Sequence, residues 1–137
     1  MKLRLFIILV VTSALLAPGA GAGLSLQTQV RKGVQTTSRS ATGSCGFRNN
    51  YYGRDDLLVF CKGSSGRARA RYDFYLPKNL YGTPAMHVYS TKLCCASSRI
   101  RKRLVAVTSR HYRVILSVSR ATRLDVRSVS LSYYVRT

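Results

Sequence analysis

From Leu57 onward the apolar positions recur at every second residue. Tyr72, Phe74 and Leu76 alternate with Arg71, Asp73 and Tyr75, and Tyr112, Val114, Leu116 and Val118 alternate with Arg113, Ile115, Ser117 and Ser119. Toward the C-terminus Val129, Leu131, Tyr133 and Val135 alternate with Ser128, Ser130, Ser132, Tyr134 and Arg136. Successive side chains of an extended strand point to opposite faces, so each run predicts a strand with one buried and one wet side. Runs at residues 57–61, 85–93 and 99–108 bring the count to six, and Leu24, Leu26, Thr28 and Val30 offer a seventh. Turn-forming clusters punctuate them at Gly63-Ser64-Ser65-Gly66, Pro77-Lys78-Asn79, Gly82-Thr83-Pro84 and residues 120–123, and no helical period interrupts the series. The pattern predicts an all-β protein, a small antiparallel β-sandwich of about six strands, with a small barrel as the variant. Residues 23–44, rich in Ser, Thr and Gln, read as an N-terminal arm with an edge strand, and residues 45–137 as the sandwich domain.

The N-terminus follows a different rule. Lys2 and Arg4 precede an apolar run over residues 5–16, and Pro18, Gly19 and the small series Ala20-Gly21-Ala22 follow it. That order reads as a signal peptide over residues 1–22, its apolar part falling short of the ~20 residues a membrane-spanning helix needs. The expected product is secreted, extracellular and without a transmembrane segment. Asn49, Asn50 and Asn79 lack Ser or Thr two positions on, so no N-linked glycan is expected. Arg31-Lys32 is either a solvated charge pair or a second processing site.

Export changes the reading of the four cysteines. An oxidising compartment favours disulfides, so Cys45, Cys61, Cys94 and Cys95 are expected to be bonded rather than to hold a metal. Bonding the neighbours Cys94 and Cys95 to each other closes a small strained ring. The expectation is therefore that Cys45 and Cys61 each reach one member of the vicinal pair, in either order, or that one of the pair bonds a second subunit. A catalytic thiol at Cys94 or Cys95 would need an activating His or Asn motif, and none is nearby.

Composition narrows the chemistry. The chain has 137 residues, a length that suits one domain, and its 46% hydrophobic content is enough for a core. Lys plus Arg number 23 against 4 acids, all Asp, for a net charge of +19. Without any Glu, and with only His87 and His111, carboxylate catalysis and His-rich metal sites have little to draw on. A small basic nuclease would need both histidines and a lysine such as Lys92 or Lys102 on one phosphate. No cofactor, metal, catalytic residue or specific nucleic-acid partner is expected, and the chain reads as no enzyme.

Arginines outnumber lysines, and two runs set them at strand period. In Arg67-Ala68-Arg69-Ala70-Arg71 and Arg99-Ile100-Arg101-Lys102-Arg103, alternate arginines share a face about 6.6 Å apart. The planar guanidinium matches sulfate, phosphate and carboxylate with two parallel hydrogen bonds. Such ladders suit anionic glycans, lipopolysaccharide or nucleic acid, with glycans or anionic cell-surface polymers as the expected partners; the plain alternative is a solvated face that keeps the protein soluble. The Gly63–Gly66 loop is either an anion nest of backbone N–H groups or a hairpin turn. Tyr51, Tyr52, Tyr81 and Tyr134 fall in loops or on polar strand faces, where a ring either stacks on a ligand or simply suits the pleat.

Over residues 71–135 the order of features resembles the H-type lectin domain of snail agglutinins. The resemblance rests on Tyr72-Asp73-Phe74 closed by Pro77, Thr83-Pro84 leading into Met86-His87-Val88-Tyr89-Ser90, Val105-Ala106-Val107, His111-Tyr112-Arg113-Val114, the loop Arg120-Ala121-Thr122-Arg123, and Val129-Ser130-Leu131-Ser132-Tyr133. Residues 30–34, with Gly33, are loosely similar to that family's first strand. About half the chain is covered. The resemblance implies a six-stranded sandwich forming a homotrimer that binds galactose-type sugars. In that family an aromatic residue and a His before the last strand hold the sugar, whereas Ser119 and Arg120 stand at the matching positions here. The implied site is a loop retuned toward acidic or sulfated sugars. The expected carbohydrate contacts are Arg103, Arg120, Thr122 and Arg123, with Arg67, Arg69, Arg71, Arg99 and Arg101 as anion contacts. A carbohydrate-binding protein favouring anionic glycans is the expected function, and a cationic antimicrobial protein the alternative.

Overall fold

The structure, a computed structural model, describes residues 23–94 and 99–137; the leader read at residues 1–22, together with Cys95, lies outside them. The described residues form nine strands: β1 (Leu24–Lys32), β2 (Ser38–Ala41), β3 (Cys45–Asn49), β4 (Leu57–Cys61), β5 (Arg67–Tyr75), β6 (Leu80–Cys94), β7 (Ile100–Ala106), β8 (His111–Ser119) and β9 (Arg123–Arg136). They make two antiparallel sheets, as the alternation predicts, and no described helix is long and apolar enough to cross a membrane. The four-stranded sheet runs β2-β5-β8-β7. In the five-stranded sheet β9 is central: β6 lies along one side, and β1 and then β4 share the other, with β3 outside β4.

The core lies between the sheets and uses the residues that alternation picks out. Ala68, Ala70, Tyr72 and Phe74 of β5 and Val114, Leu116 and Val118 of β8 face Leu57 and Val59 of β4 and Leu124, Val126, Val129, Leu131, Tyr133 and Val135 of β9. In β9 the buried set changes from even to odd positions between Val126 and Val129. The pairing explains this, because Tyr89 pairs with Ser128 and Ser90 with Val126, leaving Arg127 as one extra residue. A β-bulge re-aims the side chains that follow it, and here it keeps one long strand facing the core throughout.

Gly33 marks where β9 changes partner. Lys32 still pairs with Ser128, Leu57 already pairs with Val126, and Gly33 N–H donates to Arg127 O at 3.0 Å between them. A Cβ on Gly33 would lie 2.0 Å from Val126 O, so no side chain fits there. Tyr72 reaches the same point, its hydroxyl donating to Gly33 O at 2.6 Å, and burial pushes its pKa up.

Four features differ from the sequence reading. Residues 23–44 supply the expected edge strand as β1, paired with β9 along its whole length, and a second strand, β2, paired with β5, that the reading as an arm did not include. Arg31 is no solvated residue: it is 8% exposed, its guanidinium sits 4.8 Å over the Phe74 ring, and burial lowers its pKa. Lys32 alone is solvated, pairing with Asp55 at 2.6 Å. Gly82-Thr83-Pro84 is not a turn but an irregular stretch inside β6, between the paired residues Tyr81 and Ala85. Finally, Cys45 bonds Cys61 rather than the vicinal pair. The two are direct partners across β3 and β4, with Cα atoms 3.9 Å apart, a proximity invisible until β3 is known to be a strand. Cys94 is also disulfide-bonded.

Candidate anion-binding face

β5 and β7 are both neighbours of β8, and the register fixes what stands beside what. Arg67 is opposite Ser119; Arg69 and Arg101 flank Ser117; Arg71 and Arg103 flank Ile115. Directly opposed residues share a face, so both arginine ladders stand on the outside of one sheet, two strand spacings or about 9.6 Å apart. Local sequence explains the outward aim. Ala68 and Ala70 behind the first ladder are fully buried, and Ile100 and Leu104 behind the second pack on the core.

A cleft of about 430 Å³ opens between the ladders at one end. Ser117 and Ser119 form its floor, and Arg67, Arg99, Arg101 and Arg120 surround it. Arg120 is placed by the β8–β9 turn, in which it and Ala121 both take positive φ, 46° and 50°. That left-handed pair turns the chain sharply from β8 in one sheet to β9 in the other, and Ala121 N–H anchors the turn by donating to Gly63 O at 2.9 Å. A neighbouring cleft of about 440 Å³ lies on the β2 side, with Ser40, Thr42, Arg67 and Arg69. Arg67 borders both, and Gly66 lets the chain pass between them: at φ 94°, a Cβ there would sit 2.0 Å from Thr42 O.

Among the described residues, the field of this face is opposed by one carboxylate alone, and that one stands away from the cleft. Asp55 is with Lys32. Asp73, at the far end of the sheet, takes Arg113 Nε at 2.7 Å and lies 3.2 Å from His111 Nε2, the latter an ionic contact without hydrogen-bond alignment. Burial works to raise the Asp73 pKa, but contact with Arg113 and His111 outweighs it and holds the carboxyl below its usual range; Arg113 is raised in return. Asp56 and Asp125 lie together on the other sheet, each 4% exposed. Burial, followed by contact with Asp56, pushes Asp125 up to about 6. Among the described residues, no arginine of the cleft has a carboxylate partner.

The expected site residues are only partly brought together. Arg67, Arg99, Arg101 and Arg120 converge, with Arg69, Arg71 and Arg103 continuing along the same face. Thr122 does not join them: it is fully buried, its hydroxyl donates to Arg120 O at 3.1 Å, and its own carbonyl accepts from Cys61 N–H. It builds the turn instead of facing a ligand. Arg123 begins β9 and lines a separate cleft of about 320 Å³ with Phe60 and Lys62. The Gly63–Gly66 segment is no hairpin, since it crosses from β4 in one sheet to β5 in the other; Gly63 N–H is bound to Ser44 Oγ at 3.0 Å, while Ser64 and Gly66 border the cleft. His87 and His111 lie on different sheets, beside Tyr89 and Tyr75 respectively, so they do not converge on one phosphate.

Of the tyrosines singled out, Tyr52, Tyr81 and Tyr134 are exposed, with Tyr81 lying under Arg136. Sequence reasoning passed over Tyr75 and Tyr89, the first 65% exposed and the second 54%. Tyr75 alternates with buried Phe74 and Leu76 and Tyr89 with half-buried Val88 and Ser90, which was the available signal. No family model, curated protein or solved structure matches this chain.

Proposed function

We propose that the protein is a secreted, non-enzymatic carbohydrate-binding protein that takes anionic glycans on the arginine face of its four-stranded sheet. The observation that carries this reading is the convergence of Arg67, Arg99, Arg101 and Arg120 around a hydroxyl-lined floor, on a face where no cleft arginine meets a carboxylate. Guanidinium forks grip sulfate or carboxylate in two-pronged fashion, and serine hydroxyls complete the shell of a sugar's own hydroxyls. The resemblance of residues 71–135 to the H-type lectin domain points the same way.

The test exchanges geometry at constant charge. Replacing Arg67, Arg101 and Arg120 together with lysine keeps +19 and removes three forks. Each fork contributes about 1 kcal/mol or more, so binding to a sulfated glycan should weaken by roughly a hundredfold. Unchanged affinity and an unchanged salt slope would mean a diffuse electrostatic surface. The antimicrobial reading, which needs only net charge, would then replace this one.

A further inference from the structure

A cleft of about 610 Å³ opens on the opposite side of the molecule, on the outer face of the five-stranded sheet. Asp125 and Arg127 of β9 form its floor, at the bulge described above. Tyr52, Arg54 and Asp56, from the turn before β4, make one wall, and Tyr89 and Thr91 of β6 make the other. The turn is shaped by positive φ at Asn50 and Gly53, and Asn50 N–H is tied back to Asp56 O at 2.8 Å.

Two of only four carboxyls in a strongly basic chain are set side by side here. Neither has a cation at ion-pair distance among the described residues, and Asp125 Oδ1 is buried without a hydrogen-bond donor. Burying such groups opposes folding unless something returns the loss. Beside them stand two half-exposed phenol rings, Tyr52 and Tyr89, at 56% and 54%. Carboxyl oxygens accept, the guanidiniums of Arg54 and Arg127 donate, and the rings offer flat apolar faces. An anion would meet the carboxyl pair, and a cation would meet Arg54, Arg127 and the field of the whole protein. A neutral ring with hydroxyls on its edge and C–H groups on its face meets no such opposition and can use all three kinds of group.

We propose that this cleft binds an uncharged sugar ring, stacked on Tyr89 and hydrogen-bonded through its hydroxyls to Asp56 and Asp125. The site shares no residue with the arginine face, and its occupancy does not depend on that face binding anything.

Saturation-transfer NMR with a panel of neutral methyl hexosides, in high salt to screen the arginine face, tests it. At least one hexoside should receive transfer from the wild-type protein. Tyr89→Ala and Asp125→Asn, each checked for folding by circular dichroism, should weaken that binding about tenfold or more, the scale of one charge-assisted hydrogen bond. The Arg67, Arg101 and Arg120 lysine variant should retain it, whatever becomes of its sulfated-glycan binding. Absence of transfer from every hexoside, or equal transfer in both site variants, overturns the proposal. So does a rise in thermal stability with calcium in the wild type but not in Asp125→Asn, which would make the carboxyl pair a cation site.

Discussion

On their inner faces the two sheets of this protein are close to interchangeable: Ala, Tyr, Phe, Val and Leu on β5 and β8 meet Leu, Val and Tyr on β4 and β9, all nearly or fully buried. On their outer faces they diverge. The four-stranded sheet carries two ladders of arginine over Ser119, Ser117 and Ile115, and its one carboxylate is confined to the far end with Arg113, His111 and the exposed Tyr75. The five-stranded sheet carries a buried pair of aspartates between Tyr52 and Tyr89. One period-two code thus serves two purposes, with the inner positions held to a common requirement of packing and the outer ones free to acquire separate chemistries.

The strongest way to break that comparison is to attack its common half. Phe74→Ala and Leu131→Ala, one from each sheet, should each cost about 3 to 5 kcal/mol as large-to-small core changes, read by urea denaturation. A much smaller loss for either would show that the sheets are unequal partners in the core.

A middling effect separates the outer faces. Asp125 has its pKa raised from 3.8 to about 6 in the folded protein. The native state therefore holds that proton more tightly than the unfolded chain, so the contribution to stability is complete below about pH 4 and is lost as pH rises toward 6. Asp125→Asn keeps the neutral form at every pH. It should stabilise the protein by about 2 to 3 kcal/mol at pH 7.5, with the advantage shrinking as pH falls toward 4. Thermal melts across that range would show it, and a constant offset would mean that the carboxyl pair does not share its burden as described.

The smallest effect sharpens the contrast. Arg69→Ala, on the arginine face, should change stability by no more than about 0.5 kcal/mol, as surface substitutions usually do, while weakening sulfated-glycan binding. Loss of stability comparable to a core change would show that this face is structural.

Much of this was legible before any coordinates. Strong alternation located β5, β8 and the second half of β9, and the arginine spacing placed each ladder on a single face. That both ladders share one face was not legible, because it depends on β8 lying between β5 and β7. Ser38–Ala41 carries no apolar alternation and Cys45–Asn49 only the pair Cys45 and Phe47, too short a pattern to announce a strand, so β2 and β3 were missed, and with β3 went the Cys45–Cys61 pairing. Arg31 and Thr122 looked solvated by residue type, but the ring of Phe74 covers one and the β8–β9 turn encloses the other. Asp56 and Asp125 meet only through the β4–β9 pairing, with no local pattern to announce it.

The partner change along β9 at Gly33 also bears on how the molecule is made. β1, β4 and β6 all bond to β9, so none of them can complete its sheet until residues 123–136 are present. Contacts between such distant parts of a chain close slowly, on the millisecond-to-second scale typical of all-β topologies. During that interval the edges of β1, β4 and β6 that β9 will cover stand open, and repulsion from the chain's net charge of +19 helps to keep neighbouring chains from joining them edge to edge.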